Sequence, residues 1–357
     1  MRQFTLGALA ALLVLVFLFA GTVHASMTER LEGNYLKSRI KLRIDEDWKF
    51  QTQKNAADKI PGAETVAFND SAWATTNVPH DMSITLVSTK DSDPGAIGWY
   101  RKHFTLPPGF AGKKVIVQFD GVYEDSKIYI NGTQVGDQRF GYVSFCCDLT
   151  PYLKATGDNV LAVFVDNVTS RRSHFYSGTG IYRHVWLIAT DPVYIQNWGT
   201  LVTTPAPTAA QSKINVQTDL ANDLATDETR TLETTIYDEG HNALQKATTA
   251  VTVKAKSAET CTQTISLTNC KLWSPATPVR YYAYSRLLKD AAPTDDYVSP
   301  FGIREVKVSA TEGLTINGAS YKMKGVCFHH DLVPAGAAVP DEMFERTIKE
   351  LLASGCT

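Results

Sequence analysis

No C-x-x-C pair occurs among the six cysteines, so zinc-ribbon and thioredoxin-like redox chemistry are excluded. No charge of one sign prevails either: 35 Lys+Arg stand against 37 Asp+Glu, and no basic block stands out. Nucleic acid is therefore not an expected partner, because phosphate binding needs a clustered positive surface. There is no internal repeat, so a repeat array is excluded. Low complexity is confined to a Thr/Pro/Ala stretch at residues 203–208. Helical periodicity is also scarce and emerges only near residue 340.

What is present is a 44% hydrophobic chain of many short alternating runs, which indicates a globular and mostly β protein. Its 357 residues suffice for two or three domains with real cores. The N-terminus is separate. Arg2, the apolar run Leu6 to Ala20, and Val23-His24-Ala25 before Ser26 read as a secretory signal peptide over residues 1–25. That reading implies export, to a periplasmic or extracellular setting. A retained membrane anchor and initiation at Met27 are the two alternatives.

In an oxidising compartment the cysteines could pair. Cys261 and Cys270 are near enough in sequence to close a small loop. Adjacent Cys146 and Cys147 would face opposite sides of a strand and not bond each other. For most of the six the plainer reading is a small buried hydrophobe.

Residues 26–190 show short strands separated by turn residues. Val115, Val117 and Phe119 alternate with Ile116, Gln118 and Asp120, and Asn131-Gly132 is a two-residue hairpin signal. Asn159 to Val165 and Arg183 to Ile188 add further antiparallel strands. The size suits a jelly-roll sandwich. Residues 191–307, with strands such as Ile214 to Val216 and Thr249 to Val253, suit an immunoglobulin-like sandwich. Trp73, Trp99, Trp186 and Trp273 read as core or interdomain packing.

Residues 308–357 change character. Tyr321 to Val326 reads as a strand, Cys327 to Asp331 as a polar turn, and Met343, Phe344, Thr347, Ile348, Leu351 and Leu352 as the apolar stripe of a helix. Pro340 suits its first turn and Gly355 its C′ position. A lone βα unit cannot bury that stripe, because a parallel strand needs neighbours and both sheet faces covered. The expected fold is mainly β, two sandwiches followed by the first βα unit of a truncated TIM barrel. Cys327 and Cys356 would then lie on neighbouring barrel strands.

This order of parts resembles the N-terminal half of glycoside hydrolase family 2, the β-galactosidase, β-glucuronidase and β-mannosidase group. Val78-Pro79-His80-Asp81, Gly98 to Phe104, Phe119-Asp120-Gly121-Val122, Asp148 to Leu153 and Tyr176 to Arg183 carry the likeness in the first sandwich. Leu272-Trp273-Ser274-Pro275, Phe301-Gly302-Ile303-Arg304 and Lys324-Gly325-Val326 before His329 continue it. His329-His330-Asp331 and the Ser-Gly-Thr-Gly-Ile-Tyr-Arg run are similar to the β-galactosidase-like members.

The resemblance implies a retaining glycosidase with two glutamates on later barrel strands. No Asn-Glu pair of that kind occurs here, and Glu342, Glu345 and Glu350 fall on the helix as a solvated face. The chain as given is therefore expected to be inactive alone, with a carbohydrate, of the β-galactoside-type oligosaccharide class, as its partner. The alternatives are a secreted non-catalytic carbohydrate-binding module, a β-glucuronidase or β-mannosidase lineage, or sandwiches that only brace a barrel. By resemblance His329 hydrogen-bonds sugar hydroxyls, with His330 and Asp331 beside it; a surface histidine or a turn cap are the plainer readings. His174 and Tyr176 stand where related enzymes carry Arg and Tyr in a loop closing the pocket, against a plainer role in loop packing. Asp93, before Pro94, is a further sugar-facing candidate or simply a turn former. No cofactor is expected. Some family members bind Mg²⁺, but with ligands mostly outside these residues. Homo-oligomerisation belongs to a full-length form. Asn69, Asn131 and Asn167 fit the glycosylation pattern incidentally.

Overall fold

The computed structural model describes residues 32–33, 35–53, 60–84, 96–168 and 176–357. The leader at 1–25, Asp93 and His174 lie outside the described residues. Ten strands build the first part: β1 Ile40–Arg43, β2 Trp48–Gln53, β3 Ala74–Thr76, β4 Ile97–Phe104, β5 Lys114–Phe119, β6 Ser126–Ile130, β7 Thr133–Gln138, β8 Phe145–Asp148, β9 Asn159–Asp166 and β10 Val185–Thr190. They form an antiparallel four-stranded sheet, β1-β10-β5-β8, and an antiparallel six-stranded one, β3-β2-β4-β9-β6-β7.

The two sheets close on one core. Val115, Val117 and Phe119 of β5 and Val185, Leu187 and Ala189 of β10 meet Leu161, Val163 and Val165 of β9. Strand β9 is apolar at nearly every position because both of its faces are covered: Ala162 turns away from that core to Trp99, beside Trp73 and Phe164. Each fully buried Val or Leu contributes about 1.5–3 kcal/mol. Asn131 and Gly132 make the β6–β7 hairpin, with φ of 49° and 89°, the left-handed geometry a two-residue turn requires.

Seven further strands follow: β11 Val193–Thr203, β12 Gln211–Asn222, β13 Glu228–Tyr237, β14 Ala243–Val253, β15 Ser257–Thr268, β16 Tyr281–Lys289 and β17 Ala292–Phe301. Their sheets, β11-β12-β15 and β14-β13-β16-β17, form an immunoglobulin-like order. Strand β15 alternates cleanly, with Cys261, Gln263, Ile265 and Leu267 inward. All six cysteines are free. The small loop that Cys261 and Cys270 could close is not formed; the two lie at opposite ends of the β15 region, in different core clusters. Cys147 is buried in the first core, whereas the Cys146 thiol meets Asn197.

The chain before β1 is fastened to the second sandwich. Backbone N–H groups of Lys37, Ser38 and Arg39 all donate to the Asp296 carboxylate, at 2.7, 2.9 and 3.0 Å. Arg39 donates through Nε and Nη2 to Asp295, and Tyr35 packs its ring against Tyr237, Tyr282 and Tyr284. Lys114, bridging Asp148 and Asp223, adds a second tie between the sandwiches.

Residues after 305 form a small meander, β18 Val306–Ser309, β19 Gly313–Ile316 and β20 Ala319–Ser320, then a helix, α1, at Asp341–Ala353. Trp273 lies under this junction, its carbonyl accepting from Asn317 and its ring covered by Arg304. Asp341 and Glu342 sit in the first turn of α1. Gly355, at φ 93°, donates to the Leu352 carbonyl and Cys356 to that of Leu351, which is the paired C-terminal cap expected of a glycine at C′. The strand expected at Tyr321 to Val326 is not formed; that stretch has no regular secondary structure and is largely exposed. A parallel strand is held by its neighbours, and among the described residues this stretch is met only at isolated points: the Tyr321 N–H donates to the Leu314 carbonyl at 2.9 Å, and the Thr357 N–H to the Lys324 carbonyl at 2.8 Å.

Candidate functional site

The residues from Pro79 to Met82 run beside Thr179 to Ile181. His80 N–H donates to Ile181 and Met82 N–H to Thr179, at 2.7 and 2.8 Å. Between these contacts the Asp81 side chain turns inward and is buried. Its Oδ1 accepts from the backbone N–H groups of Ser83 and Thr179, both at 3.0 Å. Its Oδ2 accepts from the Tyr176 hydroxyl at 2.6 Å and the Ala337 N–H at 2.8 Å. Four donors from three chain segments therefore saturate one carboxylate, as a buried charge requires.

Space around it is kept by glycine. A Cβ on Gly336 would lie 2.3 Å from Asp81 Oδ2, and one on Gly178 2.7 Å away; both residues also have left-handed φ, 58° and 73°. Asn167 extends the network, donating to the Thr179 hydroxyl at 2.7 Å and the Gly178 carbonyl at 3.1 Å. The Ser83 hydroxyl meets the Thr179 hydroxyl at 2.7 Å. Asn167 is buried with its amide so engaged, and the Asn131 amide likewise donates to Tyr152 and Asn159.

A ring of aromatics surrounds this hub. His80 Nδ1 lies 2.8 Å from the Tyr100 hydroxyl; burial holds the imidazole below its usual range, against the opposing Asp81 charge. Burial likewise pushes the Tyr100 hydroxyl well up. The His330 ring packs against Tyr142 and Tyr182, with centroids 5.6 and 5.8 Å away, and its Nε2–H points to the Ser177 carbonyl at 3.3 Å. A cavity of about 230 Å³ opens between Pro79, Tyr142, Tyr182, His330, Ala337 and Phe344, with exposed Arg183 beside it.

The sequence candidates are thus brought together unequally. Tyr176 and His330 converge on the hub, although the hydroxyl of Tyr176 is engaged by Asp81. His329 is exposed, with Nδ1 4.0 Å from Oδ1 of half-buried Asp331. That Asp331 oxygen is buried without a hydrogen bond. His174 and Asp93 fall outside the described residues. Asp81, Tyr142 and Tyr182 are additions that residue-by-residue reading missed; the available signal was the company of Gly178 and Gly336 with an acid in a resemblance segment. Among the described residues no group of three or more His, Cys, Asp and Glu is placed to hold a metal ion.

At the other end of the turn, His184 joins the first sandwich to α1. Its Nδ1 lies 2.6 Å from Asp45 Oδ2 and its Nε2 3.5 Å from Asp341 Oδ2, the first a hydrogen bond and the second a looser ion pair. Burial alone would lower its pKa, but the two carboxylates outweigh it and raise it to about 9.

Residues 29–191 match the family model described as glycosyl hydrolases family 2, sugar binding domain, and residues 193–304 match that of glycosyl hydrolases family 2. The chain belongs to glycosyl hydrolase family 2. A β-galactosidase of Bacteroides ovatus, BoGH2A, is 36% identical over 332 residues, covering 91% of this chain and 38% of that enzyme. A crystal structure of a family 2 member from Bacteroides cellulosilyticus superposes with a TM-score of 0.81 at 34% identity, covering 88% of this chain and 43% of that one. The Bacteroides uniformis β-glucuronidase gives 0.81 at 30%, covering 89% and 39%. The chain spans less than half the length of these family 2 relatives. Two of the α1 glutamates are paired along the helix surface, Glu350 with Arg346 and Glu345 with Lys349.

Proposed function

We propose that this chain is the sugar-binding N-terminal part of a retaining glycosidase of the β-galactosidase type, exported and acting on terminal β-galactosides. Retaining hydrolysis needs two carboxyl groups about 5–5.5 Å apart, one with raised pKa as acid/base and one ionised as nucleophile. We assign those glutamates to barrel segments outside these 357 residues, and to this chain the binding and bracing of the sugar. Residues 308–357 are then the opening segment of the barrel, with His329 following the stretch that would become its first strand once neighbouring strands pair with it, the end at which barrel enzymes build their sites. The exposed His329 imidazole can donate to or accept from sugar hydroxyls, and Asp331 can accept from them.

The observation that carries this reading is the fastening of residues 332–337 to the sugar-binding sandwich through Asp81. Asp81 accepts from both Tyr176 and Ala337, and the His330 ring nitrogen reaches the Ser177 carbonyl, so candidates from distant parts of the chain meet around one hub. A likeness to BoGH2A, named a β-galactosidase, favours galactose as the terminal sugar. A second reading, a β-glucuronide, is favoured by relatives named β-glucuronidases, one from Formosa agariphila at 30% identity over 352 residues. Exposed Arg183 beside the cavity would supply a cation for a uronate carboxylate.

Titration of the purified chain with methyl β-galactoside, β-glucuronide and β-mannoside, followed by NMR, tests these assignments. The expected result is saturable shifts at His329 to Asp331 with the galactoside. Preference for the glucuronide would replace the sugar while keeping the lineage. No perturbation by any of the three would leave the chain a brace alone and overturn the binding assignment.

A further inference from the structure

We propose that Asp81 is a positioning residue of the sugar pocket, whose two oxygens hold the first sandwich on one side and, on the other, the Leu332–Gly336 turn that directly follows His329 to Asp331. The division of labour is geometric. Oδ1 accepts from Ser83 and Thr179, both within the sandwich. Oδ2 accepts from Tyr176 and, across 256 positions of sequence, from Ala337. The turn that Ala337 closes begins at Leu332, paired to Gly336 by two backbone bonds of 2.9 and 2.8 Å, directly after Asp331. Fixing Ala337 thus fixes the turn that follows the candidate sugar contacts.

The hub also reaches the residues flanking two other stretches. Ser83 precedes 85–95, and Ala96 follows it, its carbonyl accepting from the Asn167 N–H at 3.0 Å. Asn167 precedes 169–175 and Tyr176 follows it. One buried carboxylate and its neighbours therefore join Ser83, Thr179, Tyr176 and Ala337, with Asn167 and Ala96 beside them. A Cβ on Gly178 would run into Ala337 and Asp81, and one on Gly336 into Asp81, Ile84 and Tyr176, so this packing tolerates no bulk at the junction. This inference rests on the reading of the site as a sugar pocket only for its consequence; the coupling itself is a property of the chain.

Asp81→Asn separates the two sides. The amide can present its oxygen or its NH₂ to each pair of donors. Facing NH₂ towards Ser83 and Thr179 loses two fixed N–H bonds. Facing it towards Tyr176 and Ala337 loses one, because a hydroxyl can rotate to accept. The second orientation is favoured, so the variant should keep Thr179 bonded and release Ala337 selectively.

Amide exchange on the full chain tests this. The expected result is at least about ten-fold faster exchange at Ala337 in Asp81→Asn, with Thr179 changed less than about two-fold, and a displaced His330 ring resonance although Asp81 does not touch that ring. Should that variant fail to fold, Gly336→Ala is read the same way: its new Cβ meets Oδ2 from the turn side, so Ala337 should exchange faster and Thr179 should not. Unchanged exchange at Ala337 in either soluble variant overturns the proposal, as does equal loss at Thr179 and Ala337. Methyl β-galactoside affinity should fall at least about ten-fold in Asp81→Asn. A wild-type chain that binds no saccharide yet shows the selective exchange pattern would sink the sugar reading and leave the positioning role standing.

Discussion

Arg39 and Asp295 meet through two hydrogen bonds, Nε to Oδ1 at 3.1 Å and Nη2 to Oδ2 at 2.7 Å, with both side chains buried. The pair ties the segment entering β1 to the far sheet of the second sandwich, and Asp295 also accepts from the Ile195 N–H at 2.8 Å. Its energetic weight lies in what a single deletion leaves behind. Asp295→Ala strands a buried guanidinium and should cost about 3–5 kcal/mol in urea unfolding. The double variant Arg39→Met, Asp295→Leu removes both charges and should recover part of that loss; a double variant worse than the sum of the singles would contradict this.

His184 gives a pH dependence with a definite sign. Its folded pKa, raised to about 9 by Asp341 and Asp45 against burial, exceeds the usual 6.5. The imidazolium contributes stability that is fully present below about pH 6.5 and is lost as pH rises through about 9. The difference is at most roughly 3 kcal/mol at one unit per 1.36 kcal/mol. Wild type minus His184→Gln, measured by urea midpoint at pH 6 and pH 10, should show the wild-type advantage at pH 6 and little at pH 10. A constant difference would refute the assignment.

Gly180 is a position where even a methyl group is excluded. At φ 120° its Cβ would lie 2.3 Å from the Tyr100 hydroxyl and 2.9 Å from the His80 carbonyl. Gly180→Ala should cost at least about 1–3 kcal/mol and disturb the His80–Tyr100 contact. Thermal unfolding with tyrosine fluorescence reads both; an unshifted melting temperature would count against this packing.

Cysteine labelling separates buried from accessible thiols. Burial pushes Cys147 up to about 12 and Cys146 to about 11, whereas Cys327 is exposed. In the native protein at pH 8, iodoacetamide should modify Cys327 first and spare Cys147, Cys261 and Cys270 until urea is added. Early modification of Cys147, mapped by mass spectrometry, would contradict the packing of the first core.

Much of the fold is legible because local pattern and global environment agree. Asn131-Gly132 demands a hairpin whatever surrounds it, and the alternation of Val115, Val117 and Phe119 needs only a core on one side. Gly355 caps α1 as its position in sequence suggests. Tyr321 to Val326 is different: its apolar character suits a strand, but strand structure depends on neighbours that the sequence of the segment itself does not contain. The site divides in the same way. His329 to Asp331 and Tyr176 are visible as motifs, whereas the role of Asp81 depends on Ala337 arriving from 256 residues away. Nothing local to Asp81 announces that partner. Asp295 and Asp296 were equally silent, since adjacent acids on a strand ordinarily suggest solvent and not the clamp they form on Arg39 and its neighbours.

The division of labour within the proposed glycosidase is tested most directly by nitrophenol release from aryl β-galactoside. The purified 357-residue chain is expected to give no release above the buffer rate, while a product extended through the whole barrel gives turnover. Sustained release by the chain itself, co-purifying with its mass and abolished by no removable contaminant, would contradict the assignment of the two catalytic carboxylates elsewhere.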